Sequence, residues 1–133
     1  MKNEIVRWLP SESVCGKYEL DRISLDSEEL VLDFTKSNGG DNCKIIFDGV
    51  VLSFRNTDEG VRLRFLDVLS ENKGDEFYSN WTFFKCLNST YIDWVNAESY
   101  EKYADYRIEH YIFLGTNSML EVISTFDPLI SKF

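Results

Sequence analysis

The chain has 133 residues, with 14 Lys and Arg against 23 Asp and Glu, a formal charge of −9 with its one His neutral. An apolar fraction of 44% with 15% aromatics excludes the disordered class and predicts a single domain over 1–133 that buries roughly two-thirds of its unfolded surface. No apolar run approaches the roughly 18 residues of a membrane span, and Met1-Lys2-Asn3-Glu4 lacks the basic start of a secretion signal, so a cytoplasmic protein with no membrane partner is expected.

Residues 3–9 form a short helical or extended segment that must end before Pro10, because the residue preceding proline disfavours the helical basin. From Tyr18 the apolar period is two. Tyr18 and Leu20, then Ile23 and Leu25, predict a strand with an irregularity, and Leu30, Leu32 and Phe34 alternate with Val31, Asp33 and Thr35 in a second strand. Asp26 to Glu29 is the turn between them. After the turn Ser37 to Asn42 comes the strand Lys44 to Phe47, then Asp48-Gly49, a two-residue hairpin signal because both positions tolerate positive φ, and a returning strand Val50 to Arg55. The turn Asn56 to Gly60 leads into a fifth strand, Val61 to Val68. Such regular spacing predicts an antiparallel meander, since parallel strands need long crossovers.

Leu69 to Glu76 reads as a loop and Trp81 to Leu87 as a sixth strand, on its aromatic content. Asn88-Ser89 offers a helix cap, and Tyr91, Ile92, Trp94 and Val95 lay an apolar stripe along a helix near residues 89–98. Thr90 and Asp93 also have capping-box spacing, with Asp in place of the usual Glu or Gln. Ser99 to Tyr106 is a polar connection, Arg107 to Leu114 and Ser118 to Thr125 are strands joined by Gly115-Thr116-Asn117, and Asp127-Pro128 ends the pairing because proline donates no ladder hydrogen bond. The fold class is therefore α+β, mainly antiparallel β, with about seven or eight strands as a curled sheet or sandwich and one or two short helices.

The negative charge argues against a nucleic-acid partner, because no basic stripe offsets the background field. Arg62 and Arg64 are the nearest approach and read as an outward strand face. Residues 1–66 carry 9 cationic and 12 anionic side chains and residues 67–133 carry 5 and 11, which favours a basic partner for the C-terminal half. Cys15, Cys43 and Cys86 are odd in number and widely spaced, so neither a disulfide framework nor a metal centre is expected, and no cofactor motif occurs. Cys86 should be a buried small hydrophobe, whereas Cys15 and Cys43, beside Gly16 and the 38–42 loop, are expected nearer the surface.

His110 shares a strand face with Ile108, Ile112 and Leu114 and reads as a buried or half-buried side chain bonded to backbone or carboxylate. Asp48, Asp67, Glu109 and Glu121 lie in or beside strands, but nothing in the pattern selects an acid–base pair. The segment richest in recognition chemistry runs from Tyr91 to Tyr111. There Trp94, Tyr100, Tyr103 and Tyr106 interleave with Asp93, Glu98, Glu101, Asp105 and Glu109. Aromatics with a polar atom give contact area at small entropic cost, and carboxylates around them suit a Lys- and Arg-rich protein, so Trp94, Glu98, Tyr100, Glu101, Tyr103 and Asp105 are the candidate partner-binding residues. If the helix continued to Tyr106, the tyrosines would instead form its buried face.

Asn88 to Trp94, His110 to Phe113 and Glu121 to Pro128 are similar to a pattern found in small bacterial proteins, some of which resemble immunity proteins encoded beside secreted toxins. That resemblance covers the last 45 residues or so and implies neutralisation of a cognate toxin by binding, without chemistry of its own. It carries over no site residue. A β-rich small-ligand module and an enzyme using His110 or carboxylates are the alternatives, and pairing of free sheet edges would allow a homo-oligomer.

Overall fold

A computed structural model of the chain describes residues 2–132. In chain order its elements are β1 (Glu4–Arg7), β2 (Tyr18–Leu25), β3 (Leu30–Lys36), β4 (Cys43–Phe47), β5 (Ser53–Asp58), a 3-10 turn (Glu59–Val61), α1 (Leu63–Lys73), α2 (Glu76–Ser79), β6 (Phe83–Leu87), α3 (Thr90–Glu98), β7 (Glu109–Leu114), β8 (Ser118–Ser124) and β9 (Leu129–Lys132). The strands form two antiparallel sheets, one in the order β1-β6-β7-β8-β5 and the other β2-β3-β4-β9. The α+β class with predominant antiparallel β is therefore the architecture, in sandwich form, with nine strands among the described residues.

Strand alternation builds the layers. Leu30, Leu32, Phe34, Ile45 and Phe47 of the smaller sheet meet Phe83, Tyr111, Phe113, Leu120 and Val122 of the larger one in a single apolar core. Its aromatic rings pack edge to face or tilted, as with Phe34 and Phe83 at 5.6 Å between centroids and Phe47 and Tyr111 at 5.3 Å. The other face of the larger sheet is covered by helices. Leu66 and Leu69 of α1 lie on Phe84, Ile112, Leu114 and Met119, while Tyr91 and Val95 of α3 lie on Ile123. Buried Thr82 links the sheets: its hydroxyl accepts from Tyr18 N at 2.7 Å and donates to Tyr18 O at 3.1 Å. The Lys17 ammonium donates to the carbonyls of Tyr78, Trp81 and Leu114 at 3.0, 3.4 and 2.9 Å.

Several sequence expectations are met. The 3–9 segment is extended and pairs with β6, the β2 irregularity falls between Leu20 and Arg22, and the Asp26 carboxylate closes its turn by accepting from Glu28 N and Glu29 N. Others are corrected. Val61 to Val68 is not a strand, and Leu69 to Glu76 is largely helical rather than loop. Val61, Leu63 and Phe65 imitate period two, but the buried side chains are Leu66 and Leu69, three apart, which is the helical repeat. Arg62 accordingly lies on no strand face; it turns towards Glu121.

Asp48-Gly49 does not close a hairpin, because β4 pairs with β3 and β9 whereas β5 pairs with β8 in the other sheet. Residues 48–52 instead cross between layers, and Gly49 (φ +150°) is needed there: an added Cβ would sit 3.0 Å from the Phe126 ring. Of the five strands expected as a meander, only β2, β3 and β4 pair consecutively. β8 ends at Ser124, ahead of Asp127-Pro128, and directly after the proline the chain resumes as β9 on the opposite sheet. Cys86 is buried as expected, whereas Cys43 is buried too, inside β4; burial pushes both thiols up, to about 11 and about 12 respectively.

Candidate functional site

Two sets of polar residues stand out, one sealed under the helices and one open beside α3. The sealed set begins where β6 turns sharply into α3 through Asn88 (φ 53°). Ser89 is the α3 N-cap, its hydroxyl oxygen accepting from Ile92 N at 3.1 Å. The same oxygen lies 2.7 Å from His110 Nδ1, and His110 Nε2 lies 3.0 Å from Glu121 Oε1. The imidazole thus bridges the two side chains, bonding the Glu121 carboxylate through Nε2 and the Ser89 hydroxyl through Nδ1. Glu121 is 1% exposed and is held by the Arg55 guanidinium through Nε at 2.5 Å and Nη2 at 3.0 Å, and by Arg62 Nη1 at 3.0 Å.

Burial acts most strongly on Glu121 and would raise its pKa, but the hydrogen bonds and charge of His110 and Arg55 prevail and hold it down at about 2. The same pairing raises Arg55. The guanidinium also lies over the Tyr91 ring at 4.2 Å, and Tyr91 meets His110 edge-on at 5.4 Å. The order serine, histidine, carboxylate is that of a hydrolytic relay. Here, however, Ser89 is 4% exposed and its oxygen is engaged by Ile92 N. The neighbouring Thr90 N is engaged by Asn3 Oδ1 at 2.9 Å. The bonds of Ser89, His110, Glu121 and Arg55 join α3, β7, β8 and β5 in one clamp.

The open set contains the residues expected from sequence to meet a partner. The helix stops at Glu98 because Tyr100 and Glu101 take positive φ (53° and 61°), so the alternative in which a longer helix buries the tyrosines is not realised. Trp94 is 54% and Tyr100 95% exposed. Glu98, Glu101 and Asp105 are exposed, whereas Tyr103 is half-buried with its ring 5.7 Å from Tyr106. Trp94 and Glu98 share the outward face of α3, one turn apart, and Tyr100 to Tyr106 continue from its end. Trp94 also walls an open concavity of about 510 Å³ with Tyr91, Thr90, Ser53, Phe54 and Arg55.

Charge pairing differs across the C-terminal acids. Asp93 is bound by Lys2 at 2.7 Å, Glu109 by Lys85 and Arg107, and Asp127 by Arg107. Among the described residues Glu98, Glu101 and Asp105 enter no ion pair. No cluster of three or more His, Cys, Asp or Glu suited to a metal ion occurs among the described residues, and none of their helices is long and apolar enough to cross a membrane.

Sequence reasoning named His110, Glu121 and Ser89 separately but not together. A signal for the first two existed: a hairpin turning at residues 115–117 pairs His110 with Ile123 and Ile112 with Glu121, which puts His110 and Glu121 diagonally on one face. Nothing local signals Arg55 and Arg62, which reach the carboxylate across 66 and 59 residues. No family model, curated protein or solved structure matches the chain.

Proposed function

We propose that this protein is a non-catalytic protein-binding module whose surface from Trp94 to Asp105 docks a Lys- and Arg-rich protein; the resemblance to immunity proteins makes a secreted toxin the class of partner. One observation carries the reading: Trp94 and Tyr100 stand exposed among Glu98, Glu101 and Asp105, which lack the ion pairs their acidic neighbours have. Aromatic anchors with unpaired carboxylates at their rim combine contact area with electrostatic steering. The Ser89–His110–Glu121 relay serves this surface by fixing α3 to the sheet, so that Trp94 is presented from a rigid support.

The test is calorimetry and stopped-flow mixing with the purified product of the adjacent gene across a salt series. Affinity should fall as salt rises, and Glu101→Lys with Asp105→Lys should slow association about ten-fold. Absent binding, or binding indifferent to salt and to both substitutions, overturns the reading.

A further inference from the structure

The concavity beside Trp94 has a neighbour of about 370 Å³ walled by Leu25, Asp26, Ser27 and residues 49–54. Ser53 and Phe54 belong to both, so the two are halves of one groove that follows β5. That strand is an outer member of its sheet: β8 pairs with one side only, and an edge strand turns alternate N–H and C=O groups away from its partner. The four sheet edges are not equivalent. β1 and β9 have four residues each, and β2 is broken by its irregularity between Leu20 and Arg22. β5 keeps six consecutive regular pairs with β8, from Ser53 to Asp58, and presents an open edge without a bulge.

Exposed apolar groups mark both ends of the groove, Leu25 and Val50 at one and Trp94 at the other. Its charges are mostly acidic. Asp26 is in the wall, Asp48 adjoins it, and Glu98 is one helical turn from Trp94; none is in an ion pair among the described residues. Arg55, the cation among the described wall residues, is held by Glu121. We infer that β5 accepts an extended partner segment as an added strand, with alternate apolar side chains set into the two halves of the groove and Lys or Arg side chains directed at Asp26, Asp48 and Glu98. Main-chain hydrogen bonds then supply affinity, and the side-chain period of two supplies selectivity. The inference rests on the protein-docking reading and names the recognition mode of that same surface.

The probe is an array of ten-residue linear peptides alternating Lys or Arg with Val, Ile, Tyr or Trp, beside counterparts carrying Glu or Asp at the charged positions, measured against the full chain. Basic peptides should bind about ten-fold more tightly than acidic ones and slow hydrogen exchange of amides within Ser53–Asp58. N-methylation at alternate peptide nitrogens should abolish binding in one parity and spare the other. Equal binding of both charge classes, binding that leaves the β5 amides unprotected, or protection of those amides by self-association without peptide overturns the inference. If the adjacent-gene product binds in the Glu101-dependent way described above while β5 stays unprotected, docking stands and strand addition falls; if peptides protect β5 but Glu101→Lys and Asp105→Lys change neither affinity nor association rate, the groove stands and the docking surface falls.

Discussion

The outer face of the larger sheet and the surface running on from α3 use the same kinds of side chain in opposite ways. Under the helices, Glu121 is sealed and every neighbour able to bond it does so: His110, Arg55 and Arg62. Earlier in the chain, Glu98, Glu101 and Asp105 stand in solvent without ion pairs among the described residues, beside exposed Trp94 and Tyr100. A buried carboxylate without partners would be intolerable, so its position dictates its bonds. An exposed one costs the fold little and remains available to another molecule. The difference between the regions is thus between charge spent inside the chain and charge left for a partner.

Truncation should separate them most sharply. Glu121→Ala strips buried His110 and the partly exposed Arg55 and Arg62 of their shared carboxylate and should lower stability by about 3 kcal/mol, read by urea unfolding. A loss below about 1 kcal/mol would place this cluster with ordinary surface pairs. The pH dependence tests the same charge without deleting its side chain. Because folding depresses the Glu121 pKa from 4.5 to about 2, its stabilisation is complete above pH 4.5 and is lost as pH falls towards 2; the change is on the order of 3 kcal/mol. Glu121→Gln should flatten that acid limb in thermal melts.

Ser89→Ala removes both the α3 cap and the hydroxyl on His110 Nδ1, and a loss of about 1–2 kcal/mol is expected. An unchanged midpoint would detach the relay from the stability of α3. The smallest effects belong to the open surface. Trp94→Ala and Glu101→Lys should each shift stability by no more than about 0.5 kcal/mol, whatever they do to association. A larger shift would mean that these side chains serve the fold after all.

What could be read from the chain follows the range of the forces involved. The helix behind Ser89 was legible because a cap and an apolar stripe act within one or two turns. Strands β3, β7 and β8 were legible from alternation, and β2 even showed its irregularity. The 61–68 segment misled because Val61, Leu63 and Phe65 alternate, yet burial selected Leu66 and Leu69. Asp48-Gly49 misled because the dipeptide permits a tight turn without saying which sheet the next strand joins. The candidate partner residues were named from composition; their exposure followed from the positive φ of Tyr100 and Glu101, which ended the helix before Tyr106.

By itself the sequence determined the class of the domain, the sites of α3 and most strands, and the acidic, aromatic character of the segment after Trp94, since propensity, period and charge are properties of neighbouring residues. Only the tertiary structure decided that two layers form by crossings after Arg7, Phe47 and Ser124, that Arg55 and Arg62 converge on Glu121, and that β5 is left with an open edge along a groove. Those features depend on which distant segments exclude water together, and that choice is made by the packing of the whole chain.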